Sequence, residues 1–261
     1  MFLTINDIRE VGLKMTEKIG VDYTGYSINF LRRRLTVIFE KLNLHKVQDI
    51  DSILSDPKKT DELAYSMIVP GTEMFRDPGF WRSLRSLLND RQTLKVWMPG
   101  VTNGFEMYSL LVLLKMIGIN DAKIVCNVQS DILKSEIESL CIPQKYDDVN
   151  RSNFERLESD MKYEDFFETT GDGNVKPNGD LLSHVTFVRG WFMNTPADEY
   201  DLILFRNILL EYSPSLHEKA VEYLAKSLKQ GGMLAIGVKE VLLSRNTQLK
   251  SVDPSESIYI R

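Results

Sequence analysis

From Trp97 to Glu106 the chain reads Trp97-Met98-Pro99-Gly100-Val101-Thr102-Asn103-Gly104-Phe105-Glu106, with two glycines four residues apart where an apolar run gives way to a helical pattern. Glycines there let main-chain N–H groups come close to a ligand. In an open parallel sheet, ligands bind beyond the carboxyl ends of the strands, where the strand order reverses. The same residues also suit a plain turn, and the three-glycine dinucleotide spacing is absent. A nucleoside further calls for a carboxylate at the end of the second strand, to accept two ribose hydroxyls. That place holds Asn127-Val128-Gln129. What the spacing supports is a nucleotide-type site without its ribose acid.

Other chemistries find little support. His45, His184 and His217 lie far apart with no ligand pattern, so no metal site is expected. Cys126 and Cys141 have apolar neighbours and no CxxC spacing, which predicts two buried free thiols in a reducing compartment. The 261 residues are 43% hydrophobic and 26% charged, as in ordinary globular chains. The longest unbroken apolar run, Leu110 to Leu114, is far short of the roughly 20 residues of a membrane span. Asp7, Arg9 and Glu10 stand where a signal peptide would be apolar, so a cytoplasmic location is expected. The net charge is −5, and segment 145–180, with 5 basic and 10 acidic side chains, carries an equal excess by itself. A nucleic-acid binder would instead show a basic face.

The elements that must hold the glycine loop follow from periodicity. Helices are predicted over Thr4–Lys18, Tyr26–Leu42, Asp49–Leu54, Asp61–Val69 and Pro78–Leu88. On the first, Ile5, Ile8, Val11, Leu13 and Met15 fall near one stripe. On the second, Arg33 lies about 200° around from Leu31 and faces away from the apolar seam. It belongs either to a solvated face or to a docking surface for an acidic partner. Strands are predicted at Leu94–Met98, Ala122–Asn127, His184–Val188, Asp201–Phe205 and Met233–Gly237. Helices at Phe105–Ile117, Asp131–Leu140 and Ser215–Lys229 alternate with them, the last stopped by Gly231-Gly232. This alternation argues for a mostly parallel sheet flanked by helices. Segment 141–183 breaks it, and Gly171–Asp180 suits a small hairpin insertion.

Six segments in order resemble one family. Phe30-Leu31-Arg32-Arg33-Arg34-Leu35 looks like its "YKxxxLxRRL" region, and VPGTEMFRD from Val69 looks like "TNxTxFFRE/D". WMPGVTNGFEMYSL from Trp97 looks like "WSAGCSTGEEPYSL", and YDLILFRNILLEY from Tyr200 looks like "FDLIFCRNVLIYF". LKQGGMLAIGVKE from Leu228 resembles "LKPGGxLxxGHSE", and the final Ile258-Tyr259-Ile260-Arg261 resembles a closing "xYR". The chain is similar over nearly its whole length to the chemotaxis receptor methyltransferases (CheR), bacterial enzymes that use S-adenosylmethionine to esterify receptor glutamates.

The resemblance implies an α/β fold: a helical N-terminal domain over 1–75, then a Rossmann-like methyltransferase domain over 76–261 with a β-subdomain insertion near 141–183. It places Thr72, Arg76, Gly100, Gly104, Glu106 and Asn207 at the cofactor, and Arg206 and Tyr212 at the transfer site. Arg33 and Arg34 would face a partner, either chemoreceptor cytoplasmic helices or another signalling protein. The departures cluster at the chemistry. A cofactor-holding asparagine falls on Pro70, the ribose acid on Val128, an asparagine near the adenine on Trp191, and a tyrosine at the transfer site on Glu211. Thr102, Phe105 and Met107 also differ from the pattern. The expectation is a CheR-like signalling or binding protein with a degenerate cofactor site. Two alternatives stay open: an active S-adenosylmethionine-dependent protein-glutamate O-methyltransferase, or a remodelled cleft with Trp191 as a stacking face for another small ligand.

Overall fold

The computed structural model describes residues 3–179, 181–195, 198–243 and 247–261. Helix α1 (Ile5–Ile19) starts at a capping box, in which the Thr4 amide donates to the Asp7 carboxylate at 2.8 Å and the Asp7 amide donates to Thr4 Oγ1 at 3.2 Å. Its predicted stripe is buried at Ile8, Val11 and Met15, whereas Ile5 and Leu13 are exposed. Helix α2 (Ile28–Lys41) buries Leu31, Leu35 and Ile38. After the short α3 (Ile50–Leu54), α4 (Pro57–Met67) begins four residues before the predicted Asp61. Asp56 caps it and Pro57 occupies its first turn, where a missing N–H costs nothing. Helix α5 (Pro78–Leu88) matches its predicted range.

Strand and helix then alternate: β1 (Thr93–Met98), α6 (Phe105–Met116), β2 (Asp121–Val128) and α7 (Asp131–Glu138). The insertion carries a helix that periodicity did not reveal, α8 (Asp147–Glu155), and a hairpin of β3 (Phe167–Thr169) with β4 (Val175–Pro177). The hairpin thus begins before the expected Gly171, and Asp180, the expected end, lies outside the described residues. The chain returns through β5 (Val185–Arg189), β6 (Tyr200–Phe205), α9 (Pro214–Lys226), β7 (Leu228–Ile236), β8 (Lys250–Asp253) and β9 (Ile258–Ile260). The sheet order is β5-β2-β1-β6-β7-β9-β8, parallel through β7 and antiparallel for the last two strands.

Two expectations are corrected here. Gly231 and Gly232 do not stop a helix: α9 ends at Lys226 and both glycines lie inside β7. Gly231 has φ +77, a left-handed backbone that glycine adopts readily, and four residues of β7 lie between the partners of Tyr200 and Leu202, a bulge. Cys126 is buried as expected, but Cys141 is exposed, while its neighbours Leu140 and Ile142 take the buried places.

Strand alternation sorts the core. Val96 and Met98 face α5, α6 and α7, while Trp97 faces α1, α2, α4 and α9. Helix α6 is buried almost all round. Among the described residues, no helix is long and apolar enough to cross a membrane.

Candidate functional site

Strand β1 has β2 on one side and β6 on the other, so the order reverses at its carboxyl end, the place where such sheets bind ligands. The loop Pro99–Gly104 leaves β1 there. A cleft is lined by Gly100 and Thr102 of this loop, by Gln129, by Glu211 and Tyr212, and by Tyr26 from the N-terminal region. It holds about 40 Å³ of free space. That is room for a few waters, against roughly 300–1,000 Å³ for a small-molecule pocket.

The chain's own side chains take up the space. Ile208 and the Phe205 ring pack against Gly100 where a Cβ would stand. The Tyr26 and Tyr212 rings meet edge to face at 4.9 Å, and Phe192 packs on Phe205 at 5.0 Å. On the loop's other side, Asn103 Nδ2 donates to the Gly71 carbonyl at 2.8 Å.

No carboxylate reaches the cleft from β2. Val128, the residue aligned with the ribose acid, points to the opposite face of the sheet and is fully buried in the core. The residue that reaches the cleft is Gln129. Asn127 is committed elsewhere: its Oδ1 accepts the Trp97 indole N–H at 2.7 Å and its Nδ2 donates to Thr195 Oγ1 at 2.8 Å. Trp191 is buried, edge-on to Phe192 at 5.7 Å and in contact with the Tyr212 hydroxyl, behind the residues that line the cleft.

Glu211 and Tyr212 end a short turn after β6. Burial pushes the Glu211 carboxyl up to about 8; Arg34 opposes that rise, Glu240 adds to it and Arg33 opposes it. Burial likewise raises the phenols of Tyr26 and Tyr212, which therefore stay neutral donors.

The other expected site residues lie outside the cleft. Arg206 is buried and forks to Glu106 and Asp77, at 2.7 Å each, with its guanidinium 3.9 Å over the Phe80 ring. Burial raises the Glu106 carboxyl and Arg206 opposes the rise. Arg76 pairs with Glu73 at 3.7 Å, and Thr72 is exposed. Gly104, at φ +81, starts α6 and packs on Ile137. Asn207, at φ +61, donates its amide to Glu240 at 2.8 Å. Arg33 is exposed, whereas Arg34 donates to the carbonyls of Ser66 and Ile68.

Of the residues placed at the cofactor or the transfer site, Gly100 and Tyr212 share the cleft, while Arg206 and Glu106 form a separate ion-pair group. Three positioning residues were not foreseen. Asp77 is 129 residues from its partner Arg206, beyond any local pattern. Glu240 holds the amides of Gly237 (2.6 Å), Asn207 (2.8 Å) and Leu210 (3.3 Å) at the strand ends, and its only signal was its place in the LKQGGMLAIGVKE segment. Gln129 was signalled by the two-residue alternation from Asn127.

Comparison with known proteins bears on this site. The family model for the CheR methyltransferase, SAM binding domain, matches residues 71–258. The Cher3 protein of Pseudomonas putida is 26% identical over 234 residues, covering 85% of this chain and 84% of that one. A chemotaxis protein methyltransferase of Vibrio parahaemolyticus is 24% identical over 265 residues, 96% of this chain and 95% of that one. One of Listeria monocytogenes is 23% identical over 235 residues, 87% and 86% of the two chains.

Proposed function

Because the chain belongs to the CheR methyltransferase family, we propose that it is a chemotaxis methyltransferase homologue whose cofactor site is degenerate and whose work is binding and signalling. The observation that carries this reading is the cleft beside Gly100, reduced to about 40 Å³ by Ile208, Phe205 and the Tyr26–Tyr212 pair. The missing ribose carboxylate weighs the same way. Two hydrogen bonds to a charged group at roughly 1.5–3 kcal/mol each amount to about 10² to 10⁴ in affinity. Methyl transfer depends on holding donor and acceptor in line at near contact, which a cleft closed to the donor does not do.

The helical domain 1–75 would then serve as the docking part, with exposed Arg33 presented to a chemoreceptor or another signalling protein, and Arg34 fixing the end of α4 behind it. The second reading, an active protein-glutamate methyltransferase, draws on the intact glycine loop with Thr102 and on Tyr212 in the cleft. Calorimetric titration with S-adenosylhomocysteine separates the two. No heat up to millimolar ligand is the expected result. Saturable micromolar binding would overturn the degenerate reading and favour the active one.

A further inference from the structure

We propose that the insertion is a positioning element for the site: Asn150 and Asn153 of α8 clamp Met74, and through it they hold the strained turn that sets Asp77 on Arg206. The inference goes beyond the reading above and does not depend on whether the cleft takes S-adenosylmethionine.

The clamp is direct. Asn150 and Asn153 are three residues apart and so share one face of α8. Asn150 Oδ1 accepts the Met74 amide at 2.8 Å, and Asn153 Nδ2 donates to the Met74 carbonyl at 3.0 Å. Both asparagines and Met74 are buried. Two side chains thus take both main-chain polar groups of one residue, in place of the partners that a helix or sheet would supply. The next amide, that of Phe75, donates at 2.8 Å to Ser109 Oγ, which is itself anchored on the Phe105 carbonyl at 2.7 Å.

The segment held in this way is strained. Phe75 has φ +51 and Asp77 has φ +57, left-handed values that are costly for any side chain and most of all for a bulky one. Such backbone persists only where its surroundings over-determine it. The turn ends with the Asp77 carboxylate on Arg206 Nη2 at 2.7 Å, while Glu106 takes Nη1. A chain of rings runs beside it. Phe154 of α8 meets Phe75 at 5.4 Å, Phe75 meets Trp81 at 6.4 Å, and the Arg206 guanidinium lies 5.9 Å over the Trp81 ring. On its other side Phe154 packs on Tyr163 and on Phe166, which adjoins β3 of the hairpin.

Without the clamp, Phe75 and Asp77 relax towards ordinary backbone and Arg206 is left with one carboxylate. Thr72 and Arg76, the residues expected at the cofactor, flank the clamped Met74. A partner that shifts α8 therefore acts on Arg206, and by reciprocity the state of the fork acts on the insertion.

Nitrogen-15 NMR of the full chain, following how fast the Arg206 guanidinium rotates, tests the clamp. In the wild type the two Nη signals should stay resolved, each held by its carboxylate. Asn153→Leu removes the donor to Met74 and should speed rotation about tenfold or more, as expected for the loss of one hydrogen bond to a charged group. Asn153→Ser, one atom shorter and still polar, gives the same reading should the leucine variant not fold. Asp77→Asn removes the arm itself, so adding Asn153→Leu to it should change rotation no further. Leu224→Ala truncates the core on the opposite face of the sheet and should leave the Arg206 signals as they are although it destabilises the fold. Unchanged rotation in the Asn153 variants, an equal change in Leu224→Ala, or additive changes in the double variant would overturn the proposal.

Discussion

The side chain of Ile208 occupies the space a Cβ on Gly100 would need, and the Phe205 ring stands 3.0 Å from the same point. The closest approach of the glycine loop is therefore made to the protein itself. Gly100→Ala should overpack the site and cost about 1–3 kcal/mol. Ile208→Ala in the same molecule should relieve much of that strain. A double-mutant cycle by urea denaturation is expected to give a coupling of roughly 0.5–3 kcal/mol; additive losses would mean that the loop and Ile208 do not press on each other.

Two neighbouring substitutions on β2 should behave in opposite ways. Val128→Asp puts a carboxylate into a fully buried apolar core and should unfold the chain or cost several kcal/mol. Gln129→Asp puts it into the cleft, which already has polar lining, and should leave stability within about 1 kcal/mol of wild type. Far-UV circular dichroism and a urea midpoint for each variant check this. A stable Val128→Asp protein would mean that the end of β2 is turned the other way.

The same pair of residues shows what sequence alone could reach. The ribose-acid position fell on Val128 near the end of the expected strand, and only the packed sheet shows that Val128 enters the core while Gln129 reaches the cleft. The helical seam of α2 and the glycine loop were legible because each is a local pattern. The start of β7 was not: Gly231-Gly232 after a helical stretch has the form of a helix stop, and the bulge that holds them depends on Tyr200, some 30 residues away. Arg206 and Tyr212 were expected at the transfer site through the family resemblance alone, and the partners of Arg206 lie 129 and 100 residues off, distances that hid its ion pairs.

Arg206 is buried while Asp77 and Glu106 keep 28% and 31% of their side chains exposed, so the fork neutralises two partly wetted carboxylates. Arg206→Met keeps the bulk over Phe80 but removes the charge, and should cost about 3 kcal/mol at neutral pH. Arg206→Lys should recover only part of that, since one ammonium does not reproduce a planar fork. The deficit of the methionine variant should shrink as acid protonates Glu106, whose carboxyl burial already raises. Urea midpoints at neutral and mildly acid pH measure it; a deficit that grows in acid would show that the carboxylates are not what Arg206 serves.

Asp61 gives the opposite pH dependence. It lies on α4, and its carboxylate accepts from the amides of Asp131 (3.1 Å) and Ile132 (3.2 Å) at the start of α7, from the Ser130 hydroxyl (2.9 Å) and from Arg189 (2.9 Å). Burial by itself would raise this carboxyl, but the two amide bonds, the hydroxyl and the Arg189 charge together hold it below the usual range. A folded value below the unfolded one means that the stabilisation is present above the unfolded value and is lost as pH falls through the folded one. Arg189 is half exposed and adds little. Hydrogen bonds to the charged oxygen are the larger part, about 1.5–3 kcal/mol. Asp61→Asn should therefore cost about 2 kcal/mol at neutral pH and progressively less in acid. Urea midpoints of both proteins, taken from neutral pH down to well below the carboxylate range, should converge; a gap that stays constant would place the contribution of Asp61 in packing rather than in its charge.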